Sequence, residues 1–267
     1  MIPASFEYFA PTTLEEALSL LREHGDEAKV LAGGHSLIPL MKLRLASPTV
    51  LVDIGRIADL AYVRDDGGRY AIGAMTRHRD VATSAVPLVS AVANVVGDAQ
   101  VRARGTIGGS LAHGDPASDL PSALLALDGV LVIQGAGGRR EVAASDFFVD
   151  FLETAVGPDE ILVEVQVPKA SGGFDYQKFN KRGQDWAIVG VAAVRLNGGV
   201  HVGLTNMGST PLRARATEEA LAGGASVDDA AAKAAEGTTP PSDINATAEY
   251  RQHLARVLTR RALEAVG

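Results

Sequence analysis

Two short stretches of this chain have the composition of an anion cradle. Ala32-Gly33-Gly34-His35-Ser36 and Thr106-Ile107-Gly108-Gly109-Ser110 each set a glycine pair among small and hydroxyl-bearing residues. A backbone free to bend at glycine can aim consecutive N–H groups at one anion, and small side chains let a pyrophosphate come close. The first pair follows a strand-like run and precedes a helix start, the arrangement that favours such a cradle. Either pair alone reads more readily as a plain turn; two of them flanked by matching hydroxyls weaken that reading substantially. The paired glycines also argue against an ordinary helix or strand at the start of "TIGGSLAHGDPASDLP", residues 106 to 121. Neither pair belongs to a Gly-x-Gly-x-x-Gly fingerprint or a P-loop, so a bound nucleotide would need a different fold.

Other chemistries are less well supported. His113, Asp115 and Asp119 could suggest a metal site, but Asp119 ahead of Leu120-Pro121 reads as a helix N-cap, and Asp115 ahead of Pro116 as a turn residue. No His-x-x-x-His spacing occurs, so no metal ligands are assigned. A Gly-x-Ser-x-Gly elbow is missing, and with no cysteine in the chain a thiol enzyme is excluded. A third stretch, "YQKFNKRGQDWAIVG", places Lys178, Lys181, Arg182 and Asp185 beside Trp186, the only tryptophan. It reads either as a domain seam with solvated charges or as a cation and an aromatic facing a planar redox ring.

The elements that must position these residues follow from local signals. Thr13-Leu14-Glu15-Glu16 is a capping box, and Leu14, Ala17, Leu18 and Leu21 recur at helical spacing up to Gly25. "AKVLAGG" is a strand entering the first glycine turn, "SLIPLMKLRL" a helical turn and "TVLVDIG" a strand, closing a unit at about residue 55. "YAIGAMT" opens a second unit, with a helix interrupted at Pro87 and a hairpin turning at 135–138. It continues with a helix N-capped by Ser145 and the strand "EILVEVQVP". A boundary is placed at "KASGG", giving units 1–55, 56–170 and 171–267. The last holds a hairpin turning at Asn197-Gly198-Gly199 and Ala-rich helices.

The 267 residues carry a formal net charge of −7, 46% hydrophobic and 21% charged residues, with the basic residues scattered. That balance excludes a nucleic-acid binder of the basic-face kind. Without cysteine the chain cannot hold an iron–sulfur cluster or a thiolate zinc site. No secretory leader or membrane span is legible, and a cytoplasmic location is expected.

Taken in order, "LAGGHSLIPLMKLRL", "VRARGTIGGSLAHGDPASDLP", "DEILVEVQVP" and "YQKFNKRGQDWAIVGVAA" resemble the FAD-binding medium subunit of the molybdenum hydroxylases, the carbon monoxide dehydrogenase and xanthine dehydrogenase family. The resemblance covers nearly the whole chain. It implies an α+β architecture: a two-subdomain FAD-binding fold of the vanillyl-alcohol oxidase-like (PCMH) type, followed by a C-terminal three-stranded antiparallel sheet with helices. It implies FAD, with the diphosphate against the backbone of Ala32, Gly33, Gly34, His35 and Ser36 and of Thr106, Gly108, Gly109 and Ser110. Asp119 matches an acidic residue that bonds flavin ribityl or nearby hydroxyls, and Leu162 an apolar residue near the adenine or the flavin edge. Lys178 matches a lysine beside the pyrimidine side of the isoalloxazine, where a cation stabilises negative charge gathering on reduction. Two departures stand out: Trp186 occupies a position usually held by tyrosine, and Ser110 one usually held by asparagine.

The resemblance further implies an electron-transfer subunit without catalytic residues of its own. Its partners would be a large molybdenum-cofactor subunit and a small [2Fe-2S] subunit in an (αβγ)2 complex, with electrons leaving to an external acceptor. A stand-alone FAD-dependent oxidase and a non-redox flavin-binding scaffold are the alternatives.

Overall fold

The structure, a computed structural model, describes residues 2–170 and 172–267. The unit boundary expected at 170/171 falls on Ser171, outside the described residues. Among the described residues three larger sheets carry the molecule, beside one small two-stranded sheet. The first is parallel and ordered β1-β3-β2, from β1 (Glu7–Phe9), α1 (Leu14–His24), β2 (Ala28–Leu31), α2 (Leu37–Lys42) and β3 (Val50–Asp53). The capping box of α1 forms as expected: Glu16 N donates to Thr13 Oγ1 at 3.2 Å and Thr13 N donates to Glu16 Oε2 at 3.3 Å. Ala17, Leu18 and Leu21 bury one face of the helix. They share a core with Val50 and Val52 and with Val132, Ile161 and Val163 of the next sheet.

The second sheet is antiparallel with order β4-β5-β10-β6-β7. This part of the chain runs β4 (Val63–Asp65), β5 (Arg69–Gly73), α3 (His78–Ala82), α4 (Pro87–Asn94), α5 (Ala99–Arg104), α6 (Ile107–His113), α7 (Asp119–Ala126), β6 (Val130–Gly135), β7 (Gly138–Ala143), α8 (Ala144–Phe147), β8 (Phe148–Asp150), β9 (Glu153–Thr154) and β10 (Ile161–Pro168), with β8 and β9 paired only with each other as a small separate sheet. Pro87 does not interrupt a helix; it starts one, at a position where its missing N–H costs nothing.

Two further expectations are corrected here. Ser145 lies inside α8, whose cap position is Ala143 with no side-chain bond. The glycine pair at 108–109 lies inside α6, in its first turn. Tertiary contacts offset the entropy cost of those glycines: Gly108 packs on Ala74 so closely that a Cβ would overlap it, and the amides of Ile107 and Gly108 donate to Thr76 O and Ala74 O.

The third sheet is antiparallel with order β11-β12-β13-β14: β11 (Phe174–Phe179), β12 (Val189–Leu196), β13 (Gly199–Thr205) and the two-residue edge β14 (Leu212–Arg213). The β12–β13 turn places Asn197 at φ 52° and Gly198 at φ 81°, the paired left-handed conformation that Asn-Gly hairpins favour. Helices α9 (Arg215–Ala222), α10 (Val227–Ala232) and α11 (Ala248–Val266) complete the C-terminal part; α10, the buried face of α11 and Ala214 beside α9 join its apolar core. Its other face meets α7, where Gly203 lies directly on the Ser122 backbone. Among the described residues no helix is long and apolar enough to cross a membrane.

Candidate functional site

The fold brings the two glycine turns into contact. A Cβ at Gly33 would stand 2.5 Å from Arg104 O and 2.8 Å from Gly105 Cα, and one at Gly109 would stand 3.4 Å from Ala32 Cβ. The first turn therefore lies on the chain that leads into α6, with Ala32 against the first turn of that helix.

The two turns are not equivalent. In the first, Gly34 takes φ 79° and the chain enters α2 through Ser36. Among the described residues the amides of Gly33, Gly34, His35, Ser36 and Leu37 meet no acceptor. A run of unbonded N–H groups around a left-handed glycine, ahead of a helix, is a nest for an anion. In the second turn the amides are already committed. Ile107 donates to Thr76 O at 3.0 Å, Gly108 to Ala74 O at 2.8 Å, Gly109 to Thr106 Oγ1 at 3.1 Å and Ser110 to Thr106 O at 3.1 Å. At 106–110, unlike at 33–37, the amides thus already have acceptors within the protein. An isolated antiparallel bridge between Arg77 and Thr106 pins the start of this segment.

The Ser110 hydroxyl leads to the second cluster. Ser110 Oγ lies 2.7 Å from Ser118 Oγ, and Ser118 precedes Asp119. Asp119 does not cap α7; it is the first helical residue, 4% exposed, with its carboxylate turned toward the third sheet. Tyr176 and Lys178 alternate on one face of β11 and both reach it. Tyr176 Oη donates to Asp119 Oδ1 at 2.7 Å, and Lys178 Nζ donates to Oδ2 at 2.8 Å and to Val95 O at 3.1 Å. The ion pair is buried on both sides, at 7% and 4% side-chain exposure. Burial pushes the Asp119 pKa up, against the opposing pull of Lys178 and Tyr176. Burial, reinforced by the Asp119 charge, holds the Tyr176 phenol well above its usual range.

The remaining expected residues fall apart from these clusters. Leu162 sits in β10 opposite Ile133, at a bulge, buried in the core that also holds Leu111 of α6. Trp186 is 55% exposed on the connection between β11 and β12. Asp115 is a turn residue, accepting from Ala117 N at 2.8 Å. Half-buried His113 ends α6, and burial lowers its pKa. No cluster of three or more His, Asp or Glu able to hold a metal ion occurs among the described residues.

Sequence reasoning missed Tyr176, although its place two residues before Lys178 on a strand signals a shared face. It also missed His78, whose ring lies against Gly105 behind the first turn. This imidazole is 3% exposed and its Nδ1 has no partner. Burial drives its pKa down to about 4, with His35 and Arg102 acting in the same direction. A depressed folded pKa gives stability that is present above the ordinary value near 6.5 and is lost as pH falls through the folded value. We expect about 3 kcal/mol of stability to be lost through this residue over that window, at about 1.4 kcal/mol per pH unit. Denaturant unfolding of the parent and of His78→Phe at both ends of the window checks this: the variant should lose less stability on acidification.

The first turn fits an FAD diphosphate: unbonded amides, a left-handed glycine and small neighbours lie together there, against the first turn of α6. Comparison with known proteins points to the same cofactor. A family model described as "FAD binding domain in molybdopterin dehydrogenase" matches residues 4–170. A second, "CO dehydrogenase flavoprotein C-terminal domain", matches residues 174–266. The chain is 40% identical to the carbon monoxide dehydrogenase medium chain of Hydrogenophaga pseudoflava, over 99% of this chain and 98% of that one. It is 38% identical to the 6-hydroxypseudooxynicotine dehydrogenase complex subunit alpha of Paenarthrobacter nicotinovorans, over 98% of this chain and 95% of that one. A solved structure of carbon monoxide dehydrogenase from Hydrogenophaga pseudoflava superposes with a TM-score of 0.95 at 42% identity, covering 100% of this chain and 98% of that one.

Proposed function

This chain belongs to the FAD-binding medium subunits of the molybdenum hydroxylases, the carbon monoxide dehydrogenase and xanthine dehydrogenase family, and from that premise we propose that its work is electron transfer. It receives electrons from a small [2Fe-2S] subunit and passes them to an external acceptor. The organic or gaseous substrate is oxidised on a large molybdenum-cofactor subunit, in an (αβγ)2 complex in the cytoplasm. The observation that carries this reading is the run of unbonded amides at 33–37 docked on α6, with a buried lysine–aspartate pair tied to it through Ser110 and Ser118.

FAD supplies the redox chemistry, taking electrons singly and releasing them singly or in pairs. The protein's part is to bind, orient and set the charge around it. The amides of residues 33–37 donate to the diphosphate, helped by the hydroxyls of Ser36 and Ser110. The Lys178 ammonium would supply a cation to the pyrimidine side of the ring, and Asp119, which holds that ammonium, would also accept from hydroxyls of the flavin chain. Leu162, buried in the core behind α6, would back the site rather than touch FAD, and the exposed Trp186 indole on the β11–β12 connection would be free to shield the ring. Names of relatives as similar as those above refer to different substrates, so specificity is assigned to the large subunit.

The purified chain should be yellow and retain one FAD. It should bleach when a reduced iron–sulfur partner is added and stay yellow with organic substrates alone. A chain that takes up no FAD would sink this reading. Bleaching by an organic substrate without partners would replace it with a stand-alone oxidase.

A further inference from the structure

Asp119 is held in a way that a purely structural ion pair does not require. Its Oδ2 faces the Lys178 ammonium at 2.8 Å and its Oδ1 the Tyr176 phenol at 2.7 Å. Those two residues, both on β11, are the titratable groups that face it. The hydroxyls of Thr205 on β13 and Ser122 on α7 lie 2.8 Å apart and stand behind the Tyr176 oxygen. Lys178 also has a second, neutral acceptor in Val95 O, at 3.1 Å. The carboxylate thus depends on one cation, and that cation is not bound to it alone.

Any new negative charge that draws on the same ammonium leaves a buried carboxylate with neutral hydroxyl donors alone for support, the Tyr176 phenol first among them. In a site of low dielectric such a group responds by taking a proton. Burial already outweighs both neighbours in setting its proton affinity.

The geometry points to Asp119 as the protein group that takes up a proton when two electrons arrive on bound FAD, with Tyr176 as its positioning residue. The inference rests on the reading in which Lys178 faces the pyrimidine side of the cofactor. Two electrons enter from the iron–sulfur partner. With FAD bound, its two-electron reduction with uptake of one proton would add one negative charge near Lys178. A second proton, from solvent, forms an O–H bond at Asp119 Oδ2, the atom whose ammonium hydrogen bond weakens. No bond of the protein breaks. Two electrons are matched by two protons, so the buried site gains no net charge. Tyr176 keeps Oδ1 as its acceptor throughout and keeps the oxidised-state carboxylate ionised.

The test is the flavin midpoint potential of the FAD-loaded protein from about pH 6 to 9, with reduced-minus-oxidised infrared difference spectra. Two coupled protons give about 59 mV per pH unit for a two-electron couple, and one gives about 30 mV. The parent is expected to show the two-proton slope and to gain a protonated-carboxyl C=O band on reduction. Asp119→Asn should show the one-proton slope and no such band. Tyr176→Phe removes a donor to the carboxylate, so its change from the two-proton to the one-proton slope should move to higher pH. A parent without the carboxyl band, or an Asp119→Asn protein with the parent's slope, overturns the inference. If Asp119→Asn retains no flavin, the parent's infrared band decides alone. A parent chain that binds no FAD overturns the cofactor reading itself, whereas retained FAD with a one-proton slope overturns only the role of Asp119.

Discussion

Gly33→Val is expected to give a chain that retains no FAD and that melts below the parent even before cofactor is added. The cause is backbone, which cannot rotate away. The new Cβ would stand 2.5 Å from Arg104 O and 2.8 Å from Gly105 Cα, so the first turn has to lift off the segment entering α6. Overpacking of this kind costs about 1–3 kcal/mol. That corresponds to a melting point lower by about 2–4 °C per kcal/mol for a chain of this size. The amides of residues 33–37 move with the turn, and the anion nest loses its shape.

Gly109→Ala is the informative companion. Its Cβ would meet Thr106 Oγ1 at 2.8 Å and Ala32 Cβ at 3.4 Å, both side-chain atoms. It should therefore fold, losing about 1 kcal/mol through the disturbed Thr106 cap. Flavin absorbance per chain after gel filtration and melting of the apoprotein separate the two effects. Near-parental FAD content in Gly33→Val would refute the cradle.

Sequence alone carried the parts of the fold that are set by neighbours in the chain. The Thr13 capping box, the Asn197-Gly198 turn and the hairpin at 135–138 are local bargains between side chain and backbone, and they form as expected. Where distant residues decide, local reading misled. The pair at 108–109 looks too costly for a helix until Ala74 is seen packed on it, and two similar glycine motifs looked like two halves of one cradle. Only the backbone bonds to Ala74 and Thr76 reveal that one half is already satisfied. Asp119 ahead of Leu120-Pro121 has every local mark of a cap. Its carboxylate instead serves Tyr176 and Lys178 on a strand of another sheet, a partnership with no trace in its own neighbourhood of sequence.

Lys178→Ala is expected to have the largest effect on stability. It leaves the Asp119 carboxylate buried with its cation gone, and breaking a buried pair from one side costs about 3–5 kcal/mol. The cost should depend on pH in a definite sense. The folded-state pKa of Asp119 is already raised by burial and rises further without Lys178. A group of this kind contributes stability that is fully present below its unfolded pKa and is lost as pH rises through the folded one. The variant should therefore approach the parent in acid, where the carboxyl is neutral, and fall furthest behind it in alkali. Lys178→Met combined with Asp119→Asn removes both charges and should recover most of the loss, because a neutral pair leaves no uncompensated charge. Denaturant unfolding of parent, single and double variants across pH measures this directly, and a Lys178→Ala deficit that grows on acidification would refute the sign. The same variant, loaded with FAD, should have a lower flavin midpoint potential, since charge gathering on the reduced ring no longer meets an ammonium. Where its Asp119 is protonated before reduction, its potential should follow the one-proton slope, because that carboxyl has no further proton to accept. Stability and potential then report on one carboxylate, and both must agree on where it titrates.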